Sequence, residues 1–90
     1  MLDLGRQPLW PRFYEALGED VYLAAELGRA LIEGYQGTDV GDMERVAATM
    51  KHYVGYSYPV SGKDRTTALI PERQLRQLFL PTFQAAIEAG

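Results

Sequence analysis

Helix and strand breakers divide this chain more sharply than any apolar pattern does. Gly5, Pro8 and Pro11 interrupt its start, Gly37 and Gly41 its middle, Gly55, Pro59 and Gly62 a long loop, and Pro71 and Pro81 its C-terminal stretch. Proline removes a backbone donor and fixes φ, and glycine is costly inside helices, so regular structure is confined to the windows between them. Three windows are long enough to matter. In the first, Leu23, Ala24, Leu27, Leu31 and Tyr35 recur at three- and four-residue steps. This spacing predicts an amphipathic helix from Asp20 to Gln36, capped by Asp20 and stopped by Gly37. In the last, "PERQLRQLFLPTFQAAIEAG", Leu75, Leu78, Phe79, Phe83, Ala86 and Ile87 form an apolar face. Pro71 suits its first turn, and Pro81 should kink or split the helix.

The middle window, "GDMERVAATMKHYV", reads two ways. Met43, Val46, Ala47, Met50 and Val54 fit a helical stripe behind an Asp42 cap, yet Val46 to Tyr53 equally fits a short strand buried on both faces between Gly41 and Gly55. Periodicity does not separate them. The opening "MLDLGRQPLWPR" reads as a strand end running into a structured loop, unlike the beginning of a domain. The loop "GYSYPVSGKDRTTALI" is long for a compact unit, which points to a functional loop over a plain connection.

Ninety residues, 47% apolar and 23% charged, are enough for one small packed domain. Seven arginines and two lysines are outnumbered by twelve acids, giving a net charge of −3, so no basic surface is available to neutralise phosphates and nucleic acid is not an expected partner. The absence of cysteine excludes disulfides, thiolate metal sites and a cysteine nucleophile. No apolar run approaches the roughly 20 residues of a bilayer span, so no membrane partner is expected. The single histidine lacks the clustered acids or cysteines of a metal site, and the glycines form no phosphate loop, so neither metal nor cofactor is expected. No Gly-x-Ser-x-Gly elbow supports a serine nucleophile.

The polar candidates are few. Lys51 and His52, in "ATMKHYVGYSYP", can present a cation and a neutral imidazole to sugar hydroxyls, a carboxylate or a phosphate. Spacing alone favours a surface lysine and a histidine satisfied by backbone. Adjacent residues of a strand face opposite ways, so both serve one ligand only near a strand end, a condition that the following Gly55 meets. Arg12, in "LWPRFYE", is either a rigid bidentate donor held among aromatics or the partner of Glu15 in an ion pair. Arg65, in "GKDRT", reads first as a solvated loop charge and second as a further donor. Glu15, Glu19, Asp20 and Asp64 are explained by capping and ion pairing without catalysis.

Taken in order, "GRQPLWPRFYEALGED", "LGRALIEGYQG", "VAATMKHYVGY", "SGKDRT" and "IPERQLRQLFLPTFQAAIEAG" resemble an internal piece of the N-terminal barrel domain of glycoside hydrolase family 3, its β-glucosidases above all. The resemblance covers nearly the whole chain. Pro11 stands where many relatives have Gly, and Val21 where many have Pro, without loss of a polar group. It implies an α/β fold: residues 1–90 as a partial family-3 N-terminal domain, an incomplete fragment of a TIM-like (β/α)8 barrel with about two βα units, mostly helix with short strands. Val46–Tyr53 is then a strand with Lys51–His52 at its carboxyl end, where barrels place their binding groups. By the same resemblance Arg12, Lys51 and His52 hydrogen-bond hydroxyls of the sugar in the −1 subsite, with Arg65 a fourth candidate, and the substrate is a β-glucoside or oligosaccharide hydrolysed with retention. The family's aspartate nucleophile lies in a segment like Ser-Asp-Trp. No aspartate here precedes a tryptophan, so nucleophile and acid/base are expected outside this sequence and the 90-residue chain is expected to be inactive alone. Barrel edges left uncovered would favour self-association. A different class of reading, kept beside this one, is a small non-catalytic helical interaction module with Lys51–His52 on a helix surface; a third is a sugar-binding remnant without hydrolysis.

Overall fold

The computed structural model describes residues 1–39 and 41–90. Its centre is the short apolar run at the N-terminus. Leu2 packs with Ile32, Phe83 and Ala86, while Leu4, fully buried, packs with Ala24 and Phe79. Residues 2–5 therefore lie between two helices that also touch one another: α1 (Val21–Gln36) and α3 (Pro81–Ala89). A 3₁₀ turn at Phe13–Glu15 precedes α1, and the three-residue α2 (Glu72–Gln74) comes between α1 and α3 in sequence.

α1 begins and ends where local chemistry dictates. The Asp20 carboxylate accepts the Leu23 N–H at 2.7 Å, satisfying a donor that the first turn leaves open. Gly37 closes the helix at φ 63°, and its N–H bonds to the Glu33 carbonyl. The buried face departs from the predicted stripe. Ala24, Gly28 and Ile32 are buried, whereas Leu27, Leu31 and Tyr35 stay exposed. The reason is the close approach of the N-terminal run: a Cβ on Gly28 would lie 2.7 Å from Leu2 Cδ2, so the small-residue stripe is the one that admits Leu2.

The C-terminal helix is split at Pro81, as expected from its missing donor. α2 runs into a single π-helical turn at Leu75–Phe79, in which the Leu80 N–H reaches back to the Leu75 carbonyl, and Pro81 then opens α3 at its first turn. Phe79, Phe83 and Ala86 of the predicted apolar face are buried, while Ile87 is exposed.

Residues 46–53 correct the expectation of a strand, and equally the local helical pattern. No strand occurs among the described residues. The Leu2 N–H donates to the Lys51 carbonyl at 2.8 Å, but a ladder does not extend from it. The donors that would build one are taken elsewhere: Val46 N–H by the Tyr35 carbonyl, Ala48 N–H by Gln36 Oε1, and His52 N–H by Asp3 Oδ2. The Lys51–His52 and Tyr53–Val54 peptide bonds are cis.

Because the Asp20 cap is the one side-chain bond at the start of α1, Asp20→Ala should lower stability by about 1 kcal/mol. A urea unfolding series comparing midpoints at constant m-value measures this; an unchanged midpoint would show that the cap is dispensable.

Candidate functional site

Asp3 sets the floor of a polar cluster. Its side chain is fully buried, and Oδ2 accepts two bonds from one residue, the His52 N–H at 2.7 Å and His52 Nδ1 at 3.1 Å. Oδ1 is buried without a partner among the described residues. On the other side of the imidazole, Arg12 Nη1 stands 3.3 Å from His52 Nε2. Two predicted site residues forty positions apart are thus brought into contact.

Arg12 is held from behind by Glu15, one turn along the 3₁₀ segment. Nε and Nη2 donate to the two carboxylate oxygens at 2.6 and 2.9 Å, a fork geometry that leaves Nη1 as the end facing His52. The ion-pair reading of Arg12 is realised, and the pair aims the guanidinium. Arg12 hydrogen bonds hold the Glu15 carboxyl below its ordinary value, with lesser help from the charges of Arg12 and Lys51, and Glu15 in turn raises Arg12.

Tyr56 covers the cluster. Its ring centre lies 4.5 Å from that of His52 and 5.8 Å from the Arg12 guanidinium carbon, within cation–π range. The ring is fixed by Asp64, whose Oδ1 accepts Tyr56 Oη at 2.7 Å and Trp10 Nε1 at 2.9 Å. These two donors, Tyr56 first, depress the Asp64 carboxyl below its usual range. Gly62 lets the two loops meet: at φ 79° it lies so close to Leu9 that a Cβ would be 2.5 Å from the Leu9 Cβ. Trp10 and Tyr56 themselves pack edge to face at 5.4 Å.

Lys51 precedes His52 with its side chain exposed. Arg65 is placed apart: its side chain is 84% exposed, its backbone is left-handed at φ 59°, and its ion-pair partner is Asp64 at 3.9 Å. A groove of about 430 Å³ lies between α1 and residues 46–51; Leu31, Tyr35, Val46 and Met50 make it apolar, and of the predicted site residues Lys51 lines it whereas Arg12 and His52 do not. Sequence reasoning did not single out Asp3 or Tyr56, and it placed Asp64 only among loop carboxylates. The signal for Asp3 was present: an acid between Leu2 and Leu4 is buried with its neighbours and then needs a donor. The cluster as a whole offers a guanidinium end and an imidazole nitrogen over an aromatic wall, a set suited to an uncharged polyhydroxyl or an anion.

The family profile described as "Glycosyl hydrolase family 3 N terminal domain" matches residues 1–90. A lysosomal beta glucosidase of Dictyostelium discoideum is 50% identical over 97% of this chain, and a beta-xylosidase of Formosa agariphila is 45% identical over 88%. Among solved structures, a β-glucosidase from Listeria innocua in complex with isofagomine superposes with a TM-score of 0.95 at 42% identity, covering all of this chain. This chain spans only 11% of each of the two relatives and 13% of the Listeria chain.

Two measurements check the cluster. Glu15 has a depressed carboxyl, so its contribution to stability is full above the ordinary carboxylate range and is lost as pH falls through the depressed value. The advantage of the wild-type chain over Glu15→Gln in unfolding midpoint should therefore be present at neutral pH and vanish on acidification; a pH-independent difference would contradict it. Trp10 is the only tryptophan, so Asp64→Ala, which frees both its indole N–H and Tyr56, should shift the intrinsic emission to the red.

Proposed function

The chain belongs to the glycosyl hydrolase family 3 N-terminal domain, and from that premise we propose that it is a piece of a β-glucosidase-type hydrolase that holds a sugar without itself carrying out bond cleavage. Residues 1–90 are then about two βα units of a (β/α)8 barrel, with residues 1–5 and 46–53 in the positions of neighbouring barrel strands. Arg12, Lys51 and His52 hold hydroxyls of the terminal sugar in the −1 subsite, and Arg65 is a fourth, outer candidate. The observation that carries this reading is the contact between Arg12 Nη1 and His52 Nε2, with Lys51 the residue immediately before His52 in the chain.

The reaction is retaining glycoside hydrolysis, which needs one carboxylate to attack the anomeric carbon and a second to protonate the leaving oxygen, roughly 5–5.5 Å apart. The carboxylates of the cluster are already committed: Asp3 to His52, Glu15 to Arg12, and Asp64 to Tyr56 and Trp10. Nucleophile and acid/base are assigned to the remainder of a longer enzyme, the nucleophile in a segment like Ser-Asp-Trp. The substrate class is a terminal β-glucoside or a short β-linked oligosaccharide. The names of the relatives support both glucoside and xyloside, and the Listeria enzyme was also solved with glucose and, as a mutant, with laminaribiose. Faces of the piece that the barrel would cover provide for self-association when it stands alone.

The test begins with the coding DNA on both sides of this reading frame. The complete product should release nitrophenol from an aryl β-glucoside faster than from the β-xyloside. Arg12→Met or Lys51→Met should lower kcat/KM about 10- to 100-fold, the equivalent of one charge-assisted hydrogen bond. The isolated 90-residue chain should release none above the blank. A complete product inert toward both substrates, or one indifferent to both substitutions, would remove the proposal; turnover by the short chain, abolished by mutating one of its own carboxylates, would show that it holds the reacting groups.

A further inference from the structure

We propose that Asp3 is a positioning residue that locks His52 in its Nδ1–H tautomer, so that Nε2 keeps an acceptor lone pair, held by Arg12 Nη1 until a ligand hydroxyl replaces it. This rests on the sugar-site reading only for what the acceptor is used for.

The assignment follows from what each neighbour can do. A carboxylate accepts and does not donate, so the 3.1 Å contact between Asp3 Oδ2 and His52 Nδ1 requires a proton on Nδ1. A guanidinium donates and does not accept, so the 3.3 Å contact between Arg12 Nη1 and Nε2 requires a lone pair there. One neutral tautomer satisfies both. The other would set a lone pair against the carboxylate and an N–H against the guanidinium. Asp3 is well fixed for this task. Its side chain is fully buried, the same Oδ2 takes the His52 backbone N–H at 2.7 Å, and the neighbouring Leu2 N–H is bonded to the Lys51 carbonyl. Both ends of the histidine are thereby registered on one oxygen. Oδ1 has no partner among the described residues, so within them burying this carboxylate is poorly compensated as a purely structural device. An orienting role accounts for an acid at a place where an apolar residue would pack more cheaply.

The consequence for recognition is a division of labour. Nε2 has one lone pair, so a hydroxyl that donates to His52 takes the place of Arg12 Nη1, which then joins Lys51 in donating to hydroxyl oxygens. A sugar hydroxyl has one proton and two lone pairs, so a site with one acceptor beside two cationic donors reads the direction of the hydroxyl as well as its position.

His52 is the only histidine, so long-range ¹H–¹⁵N spectra of the 90-residue chain contain one imidazole and need no assignment. The wild type should show a pyrrole-type Nδ1 and a pyridine-type Nε2; the opposite pattern would overturn the proposal. In Asp3→Ala the population should move toward the Nε2–H form, and a folded variant that keeps the wild-type pattern would overturn it equally. Should Asp3→Ala lose its dispersed amide spectrum, Arg12→Met serves instead: the tautomer should persist, and its inversion would give the orienting role to Arg12 in place of Asp3. Glucose added to the wild type should move Nε2 far more than Nδ1. An Nδ1–H imidazole indifferent to glucose supports the Asp3 assignment while removing the sugar reading.

Discussion

The fold depends on satisfying the backbone of a buried segment that has no sheet around it among the described residues. Residues 2–5 are packed between helices, where each unpaired N–H or C=O would be costly. A strand solves this with a ladder; here the solution is assembled piecemeal. Leu2 N–H goes to the Lys51 carbonyl, the Leu2 carbonyl to Thr82 Oγ1, the Leu4 carbonyl to Ser57 Oγ, and Gly5 N–H to the Gly18 carbonyl. Buried Thr82 and Ser57 are therefore side-chain substitutes for neighbouring strands. The same logic extends to the polar cluster, since Asp3 replaces a backbone acceptor for His52 N–H and, in doing so, orients the imidazole.

Seen from the cluster, rigidity comes from pairs that back each functional group. Glu15 stands behind Arg12, Asp3 behind His52, and Asp64 behind Tyr56. Each backing group is a carboxylate: Glu15 and Asp64 come from the same turn or loop as the group they hold, and Asp3 from forty-nine positions away. An acidic chain with a cationic site is then no contradiction: part of the negative charge is spent holding the positive and aromatic groups in place.

What could be read from the sequence was mostly local chemistry. The limits of α1 followed from Asp20 and Gly37, and the break at Pro81 from a missing N–H, because caps and breakers act within a few residues. The buried stripe of α1 was misread because Leu27, Leu31 and Tyr35 are the more apolar set, and only the position of Leu2 shows that Gly28 must face inward. Residues 46–53 satisfied two local patterns and adopted neither, since their donors answer to Tyr35, Gln36 and Asp3. Within the site, Arg12 and His52 were candidates from their local residues, with a sugar-binding role implied only by the resemblance to a family, and Glu15 was found through its spacing from Arg12. Asp3 and Tyr56 were not, because each acts through a partner roughly fifty or eight positions away, a distance that periodicity does not sample.

The bond from Thr82 Oγ1 to the Leu2 carbonyl joins residues eighty positions apart. Leu2 also packs on Phe83 and Ala86, so the segment around residue 2 is covered only after residues some eighty positions later have been synthesised. Closing so long a loop precedes the contacts that reward it, which makes the topology slow relative to one built from near neighbours. Until residue 82 emerges, the nascent chain holds α1 with its small-residue stripe open to solvent. Synthesis order, as much as equilibrium stability, thus decides how long that apolar surface stays available to chaperones.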